Sequence, residues 1–155
     1  MILYHGSDVL IDRIDLTKSR PGKDFGRGFY LSDNYDQAMK MAVGRASSSG
    51  KEPAVTRFEV QDDILACQDL KTKVFKDYSN EWADFIFKNR KGTANDTFDI
   101  VYGPIADDVV GVQIRLFNDG YIDLDEFISR LKYYKGITFQ YYFGTEKALS
   151  YLKYL

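Results

Sequence analysis

One cysteine, one histidine, one tryptophan and three prolines occur among the 155 residues. A lone cysteine, Cys67, excludes an internal disulfide and suits a reducing compartment. One Cys and one His do not suffice for an all-protein zinc site. No stretch approaches the roughly 18 to 20 apolar residues needed to span a bilayer. The first ten residues lack a basic leader followed by a long apolar run, so no signal peptide is expected. The expected location is the cytoplasm, away from any membrane. Neither charge dominates: 21 Lys and Arg face 23 Asp and Glu, a net charge of -2, which argues against a general polyanion binder.

Apolar residues make up 45% of the chain and charged ones 28%, a balance that excludes a disordered chain and fits a packed core. The length predicts one domain over residues 1–155. Aromatic residues are abundant: 12 Tyr and 11 Phe bring the total to 15%. They point either to strand-rich packing or to a stacking pocket.

Residues 2–4 form a short apolar run stopped by His5-Gly6-Ser7, a first strand ending in a turn. Phe29-Tyr30-Leu31 reads as another short strand, and Asn34 as one of several helix caps before Tyr35, Ala38 and Ala42. Residues 47–50, Ser-Ser-Ser-Gly, read as a mobile surface loop. Residues 54–60 alternate as a strand with one wet face. Residues 79–90 carry a helical stripe of Trp82, Phe85, Ile86 and Asn89, and residues 98–102 a strand ending at Gly103-Pro104. Asp123 starts a helix striped by Leu124, Phe127, Ile128 and Leu131. Residues 137–143 are the last clear strand, and Thr145 caps a closing helix. No βαβ period and no internal repeat appear. The pattern predicts an α+β domain with a mostly antiparallel core.

Chemistry concentrates in three places. His5 stands at a strand end, where it could face a cleft or serve structure. No nucleophile-elbow spacing supports a Ser-His-Asp or Cys-His device, and Cys67 has an apolar setting. The segment Asp24-Phe25-Gly26-Arg27-Gly28-Phe29-Tyr30 places two glycines two residues apart. They permit a sharp bend and a close approach to a ligand. The segment lacks the third glycine of a dinucleotide fingerprint and the Gly-Lys-Ser/Thr end of a P-loop. Taken alone it reads as a tight turn with aromatic packing. Gln140 shares a strand face with Thr138 and Tyr142, either on solvent or in a pocket where it reads a hydroxyl.

In order along the chain, Tyr4-His5-Gly6-Ser7, the Asp24 to Ser32 segment and a late polar strand residue resemble the ADP-ribosyltransferase superfamily, in its diphtheria-toxin-like and poly-ADP-ribose-polymerase-like branch. Within it the chain is similar to a bacterial family described as a domain of unknown function. The likeness also runs through Asn89-Arg90, residues 99–108 and residues 140–149.

The resemblance implies two small sheets forming an NAD cleft with flanking helices. NAD would be the substrate. His5 would bind ribose hydroxyls and Gly6 the nicotinamide amide. Tyr30 would stack on the nicotinamide, a contact worth about 1 kcal/mol beyond burial. Ser32 would support that end, Gly28 would line the cofactor, and Arg20 and Arg27 would suit the pyrophosphate. The helix after Asn34 would pack behind the cleft. His5, Tyr30 and Gln140 would be the catalytic set, with an oxocarbenium-like cation developing on the ribose.

The third residue of that set is usually Glu, and this chain has Gln140. A unit charge about 5 Å from the cation is worth roughly 3 kcal/mol at an effective dielectric of about 20, about a hundredfold in rate. Glu146, Asp107 and Asp108 are the candidates for a compensating acid. Residues 103–108 read either as a rigid turn or as a cleft-side loop, and Arg90 either as a helix-dipole partner or as a phosphate contact. The resemblance also implies a protein or nucleic-acid acceptor and a small antitoxin partner. An RNA 2'-phosphotransferase-like enzyme, which needs basic residues at the cleft, and a non-catalytic binding module are the alternatives.

Overall fold

The computed structural model describes residues 1–132 and 137–155, and all of their side chains except that of Asp108. Two small, mostly antiparallel sheets and five helices make up an α+β fold. In the first sheet, β1 (Ile2–Ser7) pairs with β3 (Ala54–Glu59), and β3 with β7 (Lys153–Tyr154), all antiparallel. The second runs β2 (Phe29–Leu31), β6 (Phe139–Phe143), β5 (Ile100–Pro104), β4 (Thr72–Val74). In it only β4 and β5 pair in parallel among the described residues.

The helices follow their caps. In α1 (Tyr35–Ser49) the Asn34 side chain accepts the Gln37 N–H at 3.1 Å. At its other end Gly50 takes the left-handed conformation, φ 72°. The loop expected at residues 47–50 is therefore the last turn of α1. The hydroxyls of Ser47 and Ser48 donate to carbonyls four residues back, so these polar groups are bonded within the helix. In α2 (Asn80–Lys91) the Ser79 hydroxyl accepts the Trp82 N–H, and Gly92 closes the helix.

Of residues 103–108, expected as a rigid turn or a cleft-side loop, only 105–107 lie outside regular elements, and Ile105 lines a cavity. Gly103 and Pro104 continue β5 because β6 runs beside them, with Gly103 opposite Gln140 and Pro104 opposite Phe139. Asp107 then caps α3 (Asp108–Asn118), accepting the N–H groups of Val109 and Val110. That helix is weakly written in the sequence, since three valines and a glycine lower its propensity. The short β4 and β7 also escape the pattern. β4, α2 and β5 form one βαβ crossover, although no such period shows in the sequence. The α4 helix (Leu124–Lys132) buries Phe127, Ile128 and Leu131 as its stripe predicts. α5 (Glu146–Leu149) starts at the Thr145 cap, 3.1 Å from the Ala148 N–H.

Strand alternation divides the core. Val101 and Tyr142 face a cluster with Phe25, Trp82, Ile86, Phe127 and Leu131. Their neighbours Ile100, Tyr141 and Phe143 face the other way, toward Leu3, Phe58 and Ile64. Most of the aromatic surplus is spent here. Phe25 alone packs against Tyr30, Phe75, Phe85 and Tyr142. Among the described residues no helix is long and apolar enough to cross a membrane.

Candidate functional site

A backbone bridge joins the two sheets. The Tyr4 N–H donates to the Ser32 carbonyl at 2.7 Å, and the Ser32 N–H returns to Tyr4 at 2.9 Å. This bridge joins edge strand β1 to edge strand β2. Beside it a small cavity of about 60 Å³ opens to solvent, below the few hundred Å³ of a site that encloses a whole ligand. His5, Gly6, Tyr30, Ser32 and Gln140 all line it. The far wall is a face of α1, on which Gln37, Met41 and Arg45 recur every four residues. The adjacent stripe, Ala38, Ala42 and Ala46, is buried. Small residues are required there: a Cβ on Gly6 would lie 1.8 Å from the Ala38 carbonyl oxygen. Bare backbone on β1 brings α1 against the cleft.

His5 is buried, and its ring stacks on Phe29 with centroids 4.2 Å apart. Nδ1 lies 2.7 Å from the Tyr30 carbonyl oxygen. A carbonyl can only accept, so Nδ1 carries the hydrogen and neutral His5 keeps Nε2 as an acceptor. Burial pushes its pKa down to about 4, with Arg45 and Lys23 adding repulsion and the Tyr30 bond opposing. The imidazole is uncharged at neutral pH.

Tyr30 presents its ring, while its hydroxyl is committed elsewhere. The hydroxyl donates to the Gly26 carbonyl at 2.6 Å and accepts the Phe25 N–H at 3.1 Å. Burial holds the phenol well above its usual range. The double-glycine bend divides its labour. Gly26 has φ 97°, which a side chain would strain, and Gly28 lies under the Tyr142 ring, 2.1 Å from where a Cβ would be. The Gly28 N–H donates to Ser19 Oγ, and the Tyr142 hydroxyl to the Arg27 carbonyl. Gly28 therefore serves packing and is not among the cavity-lining residues.

Gln140 is half-buried and has no side-chain hydrogen bond to any described residue. Ser32 turns its hydroxyl to the Asn34 N–H, fixing the approach to α1. Of the candidate acids, Asp107 is occupied as a cap and Glu146 is exposed on α5; neither lines the cavity. The Asp108 side chain lies outside the described residues. Arg20 and Arg27 are exposed and do not line the cavity. Arg90 pairs with Asp24 at 2.7 Å, which fixes the 20–28 segment to the end of α2 and leaves that guanidinium engaged. Cys67 is half-buried, its Sγ 3.8 Å from the Tyr151 hydroxyl. Sequence reasoning did not single out Gln37, Met41 or Arg45 as site residues. Their four-residue spacing beside an all-alanine stripe is the signal that marks them.

A family model described as "Protein of unknown function (DUF3990)" matches residues 1–154. The chain belongs to that family. The matched region includes both sheets and every residue lining the cavity. No curated protein matches the chain. Among the described residues, no group of three or more His, Cys, Asp or Glu side chains is placed to hold a metal ion.

Proposed function

We propose that the protein is an NAD-dependent ADP-ribosyltransferase-like enzyme, with NAD as substrate. One observation carries the reading: His5, Tyr30 and Gln140, far apart in sequence, line a single cavity. Its chemistry suits the two halves of a nicotinamide riboside. The neutral Nε2 of His5 accepts a hydrogen from a ribose hydroxyl. It also adds no positive charge where a cation must develop. The Tyr30 ring offers a flat face to the nicotinamide, and the unpaired Gln140 amide reads a second hydroxyl.

In the proposed reaction the bond between ribose C1' and the nicotinamide nitrogen breaks. Its electron pair leaves with neutral nicotinamide. A protein or nucleic-acid nucleophile bonds to C1' and releases its proton to solvent. Calorimetric titration with NAD, together with transfer of labelled ADP-ribose into cell lysate, tests this. Saturable binding that His5→Ala abolishes supports it; absence of both binding and transfer removes it.

A second reading draws on one feature. Arg20 and Lys23, from one segment, and Arg45, on the cavity wall, are near enough to influence one another electrostatically. Basic residues at the cleft are what an RNA 2'-phosphotransferase-like enzyme needs. Loss of phosphate from 2'-phosphorylated RNA in the presence of NAD would favour it. A binding module without catalysis is supported by Gln140 and by the engaged Tyr30 hydroxyl. It would bind NAD without consuming it.

A further inference from the structure

A second cavity, of about 340 Å³, lies at the β4 edge of the second sheet, the edge away from β2. It is large enough to enclose a small ligand, and it shares no lining residue with the first cavity. Three segments build it. Lys73 and Phe75 alternate along β4 and its exit. Glu81, Asp84, Phe85 and Lys88 recur on one face of α2, and the chain between Thr93 and Phe98 closes the far side. The floor is three phenylalanine rings: Phe85 packs against Phe75 with centroids 5.2 Å apart and against Phe98 at 5.9 Å. The remaining wall carries charge of both signs, from Glu81, Asp84, Asp96, Lys73 and Lys88.

Two of the rings follow one pattern. Phe98 has the Lys71 ammonium 4.7 Å from its centroid, and that ammonium pairs with Asp96 at 3.6 Å. Phe75 has the Lys73 ammonium at 5.3 Å, and Lys73 pairs with Glu81. In both places a cation rests on a ring and a carboxylate holds it. Phe85 supplies a third ring and Asp84 a third carboxylate. Among the described residues, however, no ammonium or guanidinium lies over Phe85. Lys88 meets Asp84 at 2.7 Å as an exposed pair one helical turn away, which contributes only a few tenths of a kcal/mol and competes weakly. The chemistry of an occupant follows. An anion would meet three carboxylates, while both lining lysines are already engaged. A wholly apolar molecule would cover the rings but desolvate the charged wall without pairing it. A cation on a carbon stem satisfies both surfaces, with its stem on the rings and its head at a carboxylate.

We propose that this second cavity binds an organic cation, an alkylammonium or alkylguanidinium group seated over Phe85 with its head at Asp84. The site is independent of the reading given to the first cavity. The cationic group comes from one of two sources: a free amine, or a lysine or arginine side chain of a partner protein.

Titration of the nitrogen-15-labelled whole chain, followed through the backbone amide signals between Thr93 and Phe98, tests it. The probes are butylammonium, butylguanidinium, neutral butanol, a short arginine-containing peptide and the same peptide with citrulline in place of arginine. The proteins are wild type, Asp84→Asn, Lys73→Met and Lys91→Met, with melting curves to confirm folding. Asp84 is exposed, so Asp84→Asn is expected to fold. The cations are expected to shift these signals saturably, and butanol and the citrulline peptide are not. Asp84→Asn is expected to weaken the cations by roughly threefold or more. Lys73→Met uncovers Phe75 and Glu81 and is expected to strengthen them. Lys91→Met removes the same charge from an exposed residue outside the cavity and is expected to change nothing. An arginine peptide that binds more tightly than butylguanidinium assigns the group to a protein; one that binds no better assigns it to a free amine. The site is overturned if no cation shifts the signals saturably, if the neutral probes bind equally, or if Asp84→Asn binds as wild type does. Each of these results leaves NAD binding at the first cavity to be judged on its own titration.

Discussion

The ring of His5 in β1 is bonded through Nδ1 to the backbone carbonyl of Tyr30 in β2, 2.7 Å away. One bond therefore ties the first sheet to the second, fixes the imidazole tautomer and turns Nε2 free. It lies next to the Tyr4–Ser32 bridge, so the wall of the cavity is held by backbone and side chain together.

Stability is expected to fall with acid in a window set by His5. The unfolded imidazole titrates near 6.5 and the folded one near 4. Below pH 6.5 the unfolded chain binds the additional proton, so stability is full above that pH and declines toward about pH 4. The loss is on the order of 3 kcal/mol. Urea unfolding at pH 7, 5.5 and 4.5 measures it. His5→Asn, whose amide can still reach the Tyr30 carbonyl, is expected to flatten the slope; an unchanged slope would refute the assignment.

Tyr30→Phe keeps the ring and removes the hydroxyl. The Gly26 carbonyl and the Phe25 N–H then lose their shared partner. A drop of about 1 to 3 kcal/mol in denaturant unfolding is expected. A variant as stable as wild type would show that water replaces the hydroxyl at no cost.

Gly6→Ala drives a methyl into the backbone of α1 at Ala38. Strand and helix cannot both keep their places, and a loss of about 3 kcal/mol or more is expected. Thermal melting compares it with Gly44→Ala, where a Cβ meets nothing within 4 Å and helix propensity rises. Equal effects at the two positions would contradict the close approach.

Gln140→Glu adds a carboxylate to the cavity wall. Under the transferase reading, nicotinamide release is expected to rise by up to about a hundredfold, the value of a unit charge near the developing cation. A rate that falls, with NAD affinity retained, would place Gln140 in binding alone.

The lining of the candidate cavity is more legible in the sequence than the scaffold around it. His5, Gly6, Tyr30, Ser32 and Gln140 line one cavity, although His5 and Gly6 lie inside β1, which runs on to Ser7 along β3 where the sequence predicts a turn. Gly28 misleads because a glycine that admits a neighbouring ring looks, in one dimension, like a glycine that admits a ligand. Arg45 is invisible as a cavity residue because its place on the wall depends on how closely α1 packs across Gly6 of β1. α3 is masked by its valines, and β4 and β7 are too short to show a period.

The segment from Ser19 to Tyr30 is held at four anchors: Ser19 to Gly28, Asp24 to Arg90, Arg27 to Tyr142, and Tyr30 to Phe25 and Gly26. Its conformational freedom is surrendered when the chain folds. A visiting molecule meets a rigid template, and its capture is expected to proceed in one kinetic phase without a slow ordering step.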